Sequence, residues 1–212
     1  MSTKEELSEW EKASTFSKIM FFPASPMIDL GMSKTIEIQD LLRIPRAERS
    51  EVLLPLLREA YKVSKPISII PKLMVALIRV TFWDVMVIFV LTLLDAGFQL
   101  IAPLFLQYLL SSLEDGDSAG ICYMWAALLS ASTMLQVFNR HTYIMFGYRT
   151  GMKWKFATTA LIHEKLIQMD VNVLQSSGSG TGMMVNMISN DVARFEEFPV
   201  VSIIPYSILF FQ

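Results

Sequence analysis

The sequence predicts an all-α membrane protein that crosses the bilayer more than once. Of its 212 residues, 53% are hydrophobic and 18% are charged, whereas a soluble domain has about 45–50% and about 25%. The excess is concentrated in two runs. Residues 85–110 carry Asp95 as their one charge in 26 positions, and residues 121–138 carry none in 18. A bilayer requires about 20 mainly apolar helical residues, so both runs can span it.

Residues 1–79 are interpreted as a cytosolic N-terminal segment. The first 20 residues are rich in glutamate and have no apolar stretch of the length that a signal peptide requires. A helix is predicted to begin at Ser50, with Pro55 either in its first turn or breaking it. Residues 66–79 predict a helix at the membrane interface, because Pro71 suits a first turn and the flanking bases suit the headgroup level.

Residues 80–212 are interpreted as a partial transmembrane domain. Its spans are expected at about 82–110 and 121–140, with an intracellular loop at about 141–198. A third span would start within 199–212, where the remaining residues are too few to cross a bilayer. We therefore expect the sequence to be truncated inside that span.

The charges around the two runs predict the orientation. Bases lie on both outer sides of the pair of spans, whereas the loop 111–120 contains three acids and no base. The bases are Lys62, Lys65, Lys72 and Arg79 before the first span, and Arg140, Arg149, Lys153, Lys155 and Lys165 after the second. The positive-inside rule places the N-terminus and the long loop in the cytosol.

The first part of the long loop predicts a continuation of the second span, because residues 140–175 contain no proline. Three glycines at positions 178, 180 and 182 then permit a reversal of the chain. A short amphipathic helix is predicted over residues 181–195. Such a hairpin, with a polar outer face, is typical of a segment that docks on a partner.

Asp95 and Gln99 are the candidate residues of a translocation path. They lie one helical turn apart inside the first span, where a charge costs about 2.5–3.5 kcal/mol when it is central. Such side chains face either a water-filled cavity or another helix. Both interpretations stay open. The bases Arg149, Lys153 and Lys155 likewise suit either a solvated face or the attraction of an anionic substrate.

Other functional classes have little support in the sequence. The single cysteine, Cys122, excludes an internal disulfide. The two histidines, His141 and His163, have no partner at the spacing of metal ligands. No catalytic pair, cofactor site or nucleic-acid partner is expected, and the run GSGTG at 178–182 lacks the lysine of a phosphate-binding loop.

Two separated motifs resemble one family. The stretches GMKWKFATTALIHEKLIQMD (151–170) and GMMVNMISNDVARF (182–195) are similar to the first intracellular loop of ATP-binding-cassette exporters, chiefly the C subfamily of multidrug-resistance-associated proteins and their chloride-channel relative. The second motif is carried by Gly182, Asn186, Ser189, Asn190, Asp191 and Arg194. The N-terminal run 25–44 resembles a further family segment through Pro26, Gly31, Ile36, Asp40 and Leu41.

The resemblance implies an incomplete type 1 transmembrane domain of an ATP-driven exporter of amphipathic organic anions or conjugates. Its partners would be the bilayer, the remaining spans, the cargo and nucleotide-binding domains, which alone would hold ATP and Mg²⁺. The coupling turn would comprise Leu174, Gln175, Ser176, Ser177, Gly178, Ser179, Gly180 and Thr181. A standalone regulatory module and a channel-like relative remain alternatives, and plasma and vacuolar or lysosomal membranes are not distinguished.

Overall fold

The computed structural model of the chain describes residues 8–19, 22–41, 44–67, 70–168, 182 and 186–201. Within these ranges all regular secondary structure is helical, apart from one isolated β-bridge between Ile67 and Ile70. The predicted all-α class is therefore confirmed. The α-helices are α1 (Glu9–Lys12), α2 (Thr15–Ile19), α3 (Ser25–Ser33), α4 (Ser50–Val63), α5 (Lys72–Val80), α6 (Phe82–Glu114), α7 (Ala119–Gln168) and α8 (Phe198–Val201).

The α4 and α5 helices differ in detail from their predicted forms. α4 begins at Ser50 as predicted, but Pro55 lies in its second turn and the helix continues. Pro55 is exposed, so water can reach the carbonyl group that loses its helical donor there. Leu53 and Leu57, one turn apart, are buried and hold this helix against its neighbours. α5 is shorter than the predicted 66–79, because Pro71 precedes the helix instead of occupying its first turn.

Two long helices, α6 and α7, form an antiparallel hairpin. They contain 33 and 50 residues, which correspond to about 50 and about 75 Å at 1.5 Å per residue. Gly116 lies in the connecting turn with φ +73°, a conformation that favours glycine. Both helices are long and apolar enough to cross a membrane, and they contain the two predicted spans.

A small core joins α4, α5 and α7. Its buried members are Leu53, Leu57, Ala76, Leu77, Trp154 and Ala157. The Trp154 indole N–H donates a 2.8 Å hydrogen bond to the Thr81 hydroxyl, which itself donates to the Leu77 carbonyl at 2.9 Å. Both partners of the indole bond are therefore satisfied in this core. The core attaches the N-terminal segment to the part of α7 that extends past the start of α6.

The last part of the long loop is not the regular α-helix predicted over residues 181–195. Its described part forms a π-helical turn at Met187–Asp191 and a 3-10 turn at Ala193–Glu196. The departure occurs where this segment packs on α7. A Cβ atom at Gly151 would lie 2.1 Å from the Glu196 carbonyl oxygen, so only glycine allows the two backbones to approach so closely.

Candidate functional site

Asp95 and Gln99 lie together inside the α6–α7 hairpin. Asp95 is only 5% exposed, and its Oδ2 atom accepts a 2.6 Å hydrogen bond from Gln99 Nε2. Arg140 of α7 donates from Nη2 to the same oxygen at 3.2 Å. Asp95 is thus bonded both to Gln99 of its own helix and to Arg140 of the opposite helix. The role of Asp95 and Gln99 in a translocation path stays a prediction.

Arg140 lies deeper along the hairpin than its predicted place at the cytosolic end of the second span. Asp95 is eleven residues, or about 16 Å of helix, beyond Asp84, and Asp84 contacts Lys153 of α7. Residues 141–152 therefore run alongside the first span, although they were assigned to the loop. Among them Arg149 has partners on other elements, Glu48 and Trp10.

The Asp95 carboxylate is not saturated by this arrangement. Its second oxygen, Oδ1, is buried and has no hydrogen-bond partner among the described residues. The Arg140 side chain is 48% exposed, so the face of its guanidinium turned away from Asp95 is accessible. A buried acceptor without a donor is unfavourable. The cluster can therefore accept a further donor at Asp95 and an anionic group at Arg140.

Three α7 bases that follow Arg140, namely Arg149, Lys153 and Lys155, form ion pairs with three different parts of the chain. Lys153 Nζ lies 2.6 Å from Asp84 Oδ2 on α6, and Lys155 Nζ lies 2.6 Å from Glu196 Oε2. Arg149 binds Glu48 of the N-terminal segment, with Nε 3.0 Å from Oε1. These bases therefore form neither a solvated face nor a free attractant for an anionic substrate.

Two further contacts hold the N-terminal segment on α7. The Arg149 guanidinium lies 3.9 Å from the centroid of the Trp10 ring, a cation–π distance. Arg58 of α4 forms a two-point ion pair with Glu164, whose Nε to Oε2 distance is 3.3 Å. Exposed pairs of this kind contribute only about 0–1 kcal/mol each. Because several such contacts lie on α7, this helix holds together elements that are distant in sequence.

The predicted family-motif residues lie mostly on the surface. Asn186, Ser189, Asn190, Asp191 and Arg194 are exposed, and Gly182 is exposed as well. The Asn190 amide donates to the Asn186 side-chain oxygen. Val192, between them, is 2% exposed. The polar residues are thus on the surface, whereas Met187, which was expected on the apolar side of the helix, is 36% exposed. The predicted coupling turn, residues 174–181, lies outside the residues that the structure describes.

Gly147 and Gly151 were not identified as important in the sequence. Both are buried on α7, in one stripe with Thr150, Trp154 and Thr158. The spacing Gly-x-x-x-Gly is the signal that indicates them, since small residues four apart allow close packing of membrane helices. No sequence pattern of this kind indicates the carboxylates that pair with the bases, which are Glu48, Glu164 and Glu196.

Comparisons with known proteins agree on one family. The family model of the ABC transporter transmembrane region matches residues 85–204. The mouse (Mus musculus) protein ATP-binding cassette sub-family C member 4 is 24% identical over an alignment of 199 residues that covers 90% of this chain and 15% of the relative. The chain thus spans about 15% of the length of this relative.

Proposed function

We propose, from the premise that this chain belongs to the family of ABC transporter transmembrane regions, that it acts within an ATP-driven exporter. In this proposal the α6–α7 hairpin transmits movement between cytosolic nucleotide-binding domains and the membrane spans. The nucleotide-binding domains of the exporter would bind ATP and Mg²⁺ and hydrolyse the nucleotide. This chain would form part of the translocation path through the membrane, and it would connect that path mechanically to the nucleotide-binding domains.

One observation supports the mechanical role above the others: α7 is continuous over 50 residues. At about 75 Å it is far longer than a hydrocarbon core of about 30 Å, so a large part of it extends beyond the bilayer, in this proposal on the cytosolic side. Its inner part is attached to α6 through Arg140 and Lys153, and its outer part is attached to α4 through Glu164. A displacement at the cytosolic end would therefore move the hairpin as one body.

The coupling step follows from this attachment. ATP-driven association of the nucleotide-binding domains would push the turn predicted at residues 174–181 and rotate α7. The hairpin would then change from an inward-facing to an outward-facing arrangement, which is a rigid-body transition. Such coupling requires a packed element with two arrangements, and the bound nucleotide must change the equilibrium between them.

For the cargo we propose amphipathic organic anions, the class implied by the family resemblance. The accessible part of the Arg140 guanidinium would contact the anionic group, and Asp95 would hold the guanidinium in place. A guanidinium suits this role because its planar N–H donors match carboxylate and phosphate oxygens.

The experiment uses the exporter that contains this chain together with its nucleotide-binding domains, reconstituted into sealed vesicles. Accumulation of an organic anion against its gradient, dependent on ATP hydrolysis, supports the proposal. Leu174→Ala and Gln175→Ala, alone and combined, should then lower the amount of cargo moved per ATP hydrolysed while cargo binding persists. Flux only down the gradient would contradict the proposal and support the channel-like alternative.

A further inference from the structure

A shallow groove lies between α4 and the end of α5. Its volume is about 380 Å³, and its walls are Leu56, Glu59, Ala60, Val63, Arg79 and Val80. Leu56 and Val63 are 49% and 66% exposed, which is high for apolar side chains. The groove therefore combines an uncovered apolar wall with a guanidinium group at one end.

Arg79, which lines this groove, and Lys62 and Lys65, which lie within two residues of Val63, have no ion pair within the described part of the chain, whereas seven other described bases do. Many others form ion pairs, including all four that follow the second predicted span from Arg140 to Lys155. Lys62, Lys65 and Arg79 are exposed, and among the described residues none of them has an ion pair or a hydrogen-bond partner. Lys72 lies 4.4 Å from the centroid of the Tyr61 ring. Positive charge is thus left uncompensated on this side of the molecule.

The position of the groove along the chain places it next to the membrane. Arg79 lies within one turn of the start of α6, and the uncharged part of that helix begins at Val85. Phe82 and Trp83 between them are 49% and 79% exposed. Exposed aromatic side chains at the start of a span are typical of the interface between headgroups and hydrocarbon. The groove therefore opens at the level of the lipid headgroups.

We propose that this groove binds an anionic phospholipid of the cytosolic leaflet. Arg79 contacts the lipid phosphate, because a guanidinium binds phosphate oxygens through two N–H donors. Lys62 and Lys65 attract the negative headgroup, and clusters of bases directly before a span are known to favour such lipids. Leu56 and Val63 contact the apolar part. Glu59 is the one carboxylate among the groove residues, and it opposes binding.

The test measures lipid preference in the full 212-residue chain, reconstituted into phosphatidylcholine bilayers. Spin-labelled phosphatidylserine and spin-labelled phosphatidylcholine are the probes, and the immobilised fraction of each label reports its association. We expect phosphatidylserine to associate more strongly. Arg79→Gln should reduce this preference about fivefold, the factor that corresponds to the loss of one base near the surface.

Two further variants make the result specific. Lys165→Gln removes one exposed base far along α7 and should leave the preference unchanged, although the net charge changes equally. Glu59→Gln keeps Arg79 and should strengthen phosphatidylserine association, so it tests the proposal even where Arg79→Gln disturbs folding. Equal association of the two lipids, an equal loss in Lys165→Gln, or no gain in Glu59→Gln would overturn the proposal.

Discussion

Arg140 donates a 3.2 Å hydrogen bond to the carboxylate of Asp95 on the neighbouring helix. Asp95 is 5% exposed, and Gln99 donates to the same carboxylate oxygen. The pair joins two helices at a level where most of the surrounding side chains are apolar. In such surroundings an uncompensated carboxylate is costly, so the contact determines which faces of α6 and α7 meet.

The first prediction concerns this pair. Arg140→Gln should lower the free energy of unfolding by about 1.5–3 kcal/mol, the usual range for a hydrogen bond to a charged group. The variant Asp95→Asn combined with Arg140→Gln should cost less than the sum of the two single changes. A double-mutant cycle in detergent, with helicity as the signal, measures this coupling. Strictly additive losses would show that the pair does not stabilise the hairpin.

The second prediction concerns Gly151, where a Cβ atom would lie 2.1 Å from the Glu196 carbonyl oxygen. Gly151→Ala should destabilise the fold by about 1–3 kcal/mol, as overpacking does. Gly97→Ala is the matched control, because a Cβ atom there meets nothing within 4 Å. It should be neutral or stabilising by up to about 1 kcal/mol, since alanine is the better helix former. Thermal unfolding of both variants checks the contrast, and equal effects would contradict it.

The third prediction concerns Asp40. The Lys34 ammonium donates to this carboxylate at 2.8 Å and holds its pKa below the ordinary value of 3.8, with help from the Glu37 backbone N–H. A depressed pKa means that the contact stabilises the fold above the unfolded-state pKa. This contribution is lost as the pH falls through the lower folded-state pKa.

Lys34→Gln should therefore raise the pKa of Asp40. An NMR titration of the Asp40 carboxyl carbon measures the shift directly. Lys18→Gln, which removes a base elsewhere in the N-terminal segment, serves as the control and should leave the titration unchanged. If Lys34→Gln leaves the midpoint of Asp40 where it was, the contact is not formed in solution.

The fourth prediction concerns topology, which rests on the charge asymmetry. An epitope tag inserted at Gly116 should be reachable from outside intact cells, since it lies in the acidic turn between α6 and α7. Tags at residue 2 and at Gln175 should be reachable only after permeabilisation. If the tag at Gln175 is labelled from outside intact cells, the orientation is the opposite of the one predicted.

Much of the fold could be predicted from the sequence, because its signals are local. The uncharged runs and the lack of proline in residues 140–175 predict α6 and the long α7, and the structure confirms both as helices. The family resemblance rested on two local motifs and is confirmed as well. The hydrogen bond between Asp95 and Gln99 was not predicted, because their spacing indicates a shared face of the helix and not a mutual contact.

The contacts between distant elements could not be predicted in the same way. Glu48 and Arg149 are 101 positions apart, and Arg58 and Glu164 are 106 apart. Nothing in a single sequence indicates which carboxylate a given base will meet, because the answer depends on how whole helices pack. The same packing explains why the segment before α8 departs from α-helical geometry where it meets Gly151.

The most direct test of the central claim asks whether α7 must be continuous for ATP hydrolysis to drive transport. His163 is exposed near the C-terminal end of α7, and proline there would break the helix at a cost of about 3 kcal/mol. The measurement is cargo accumulated per ATP hydrolysed by the reconstituted exporter, with His163→Ala as the control. We predict that His163→Pro lowers this ratio about fivefold or more while hydrolysis continues, and that His163→Ala leaves it unchanged. A wild-type ratio in folded His163→Pro would contradict the claim that α7 transmits the movement.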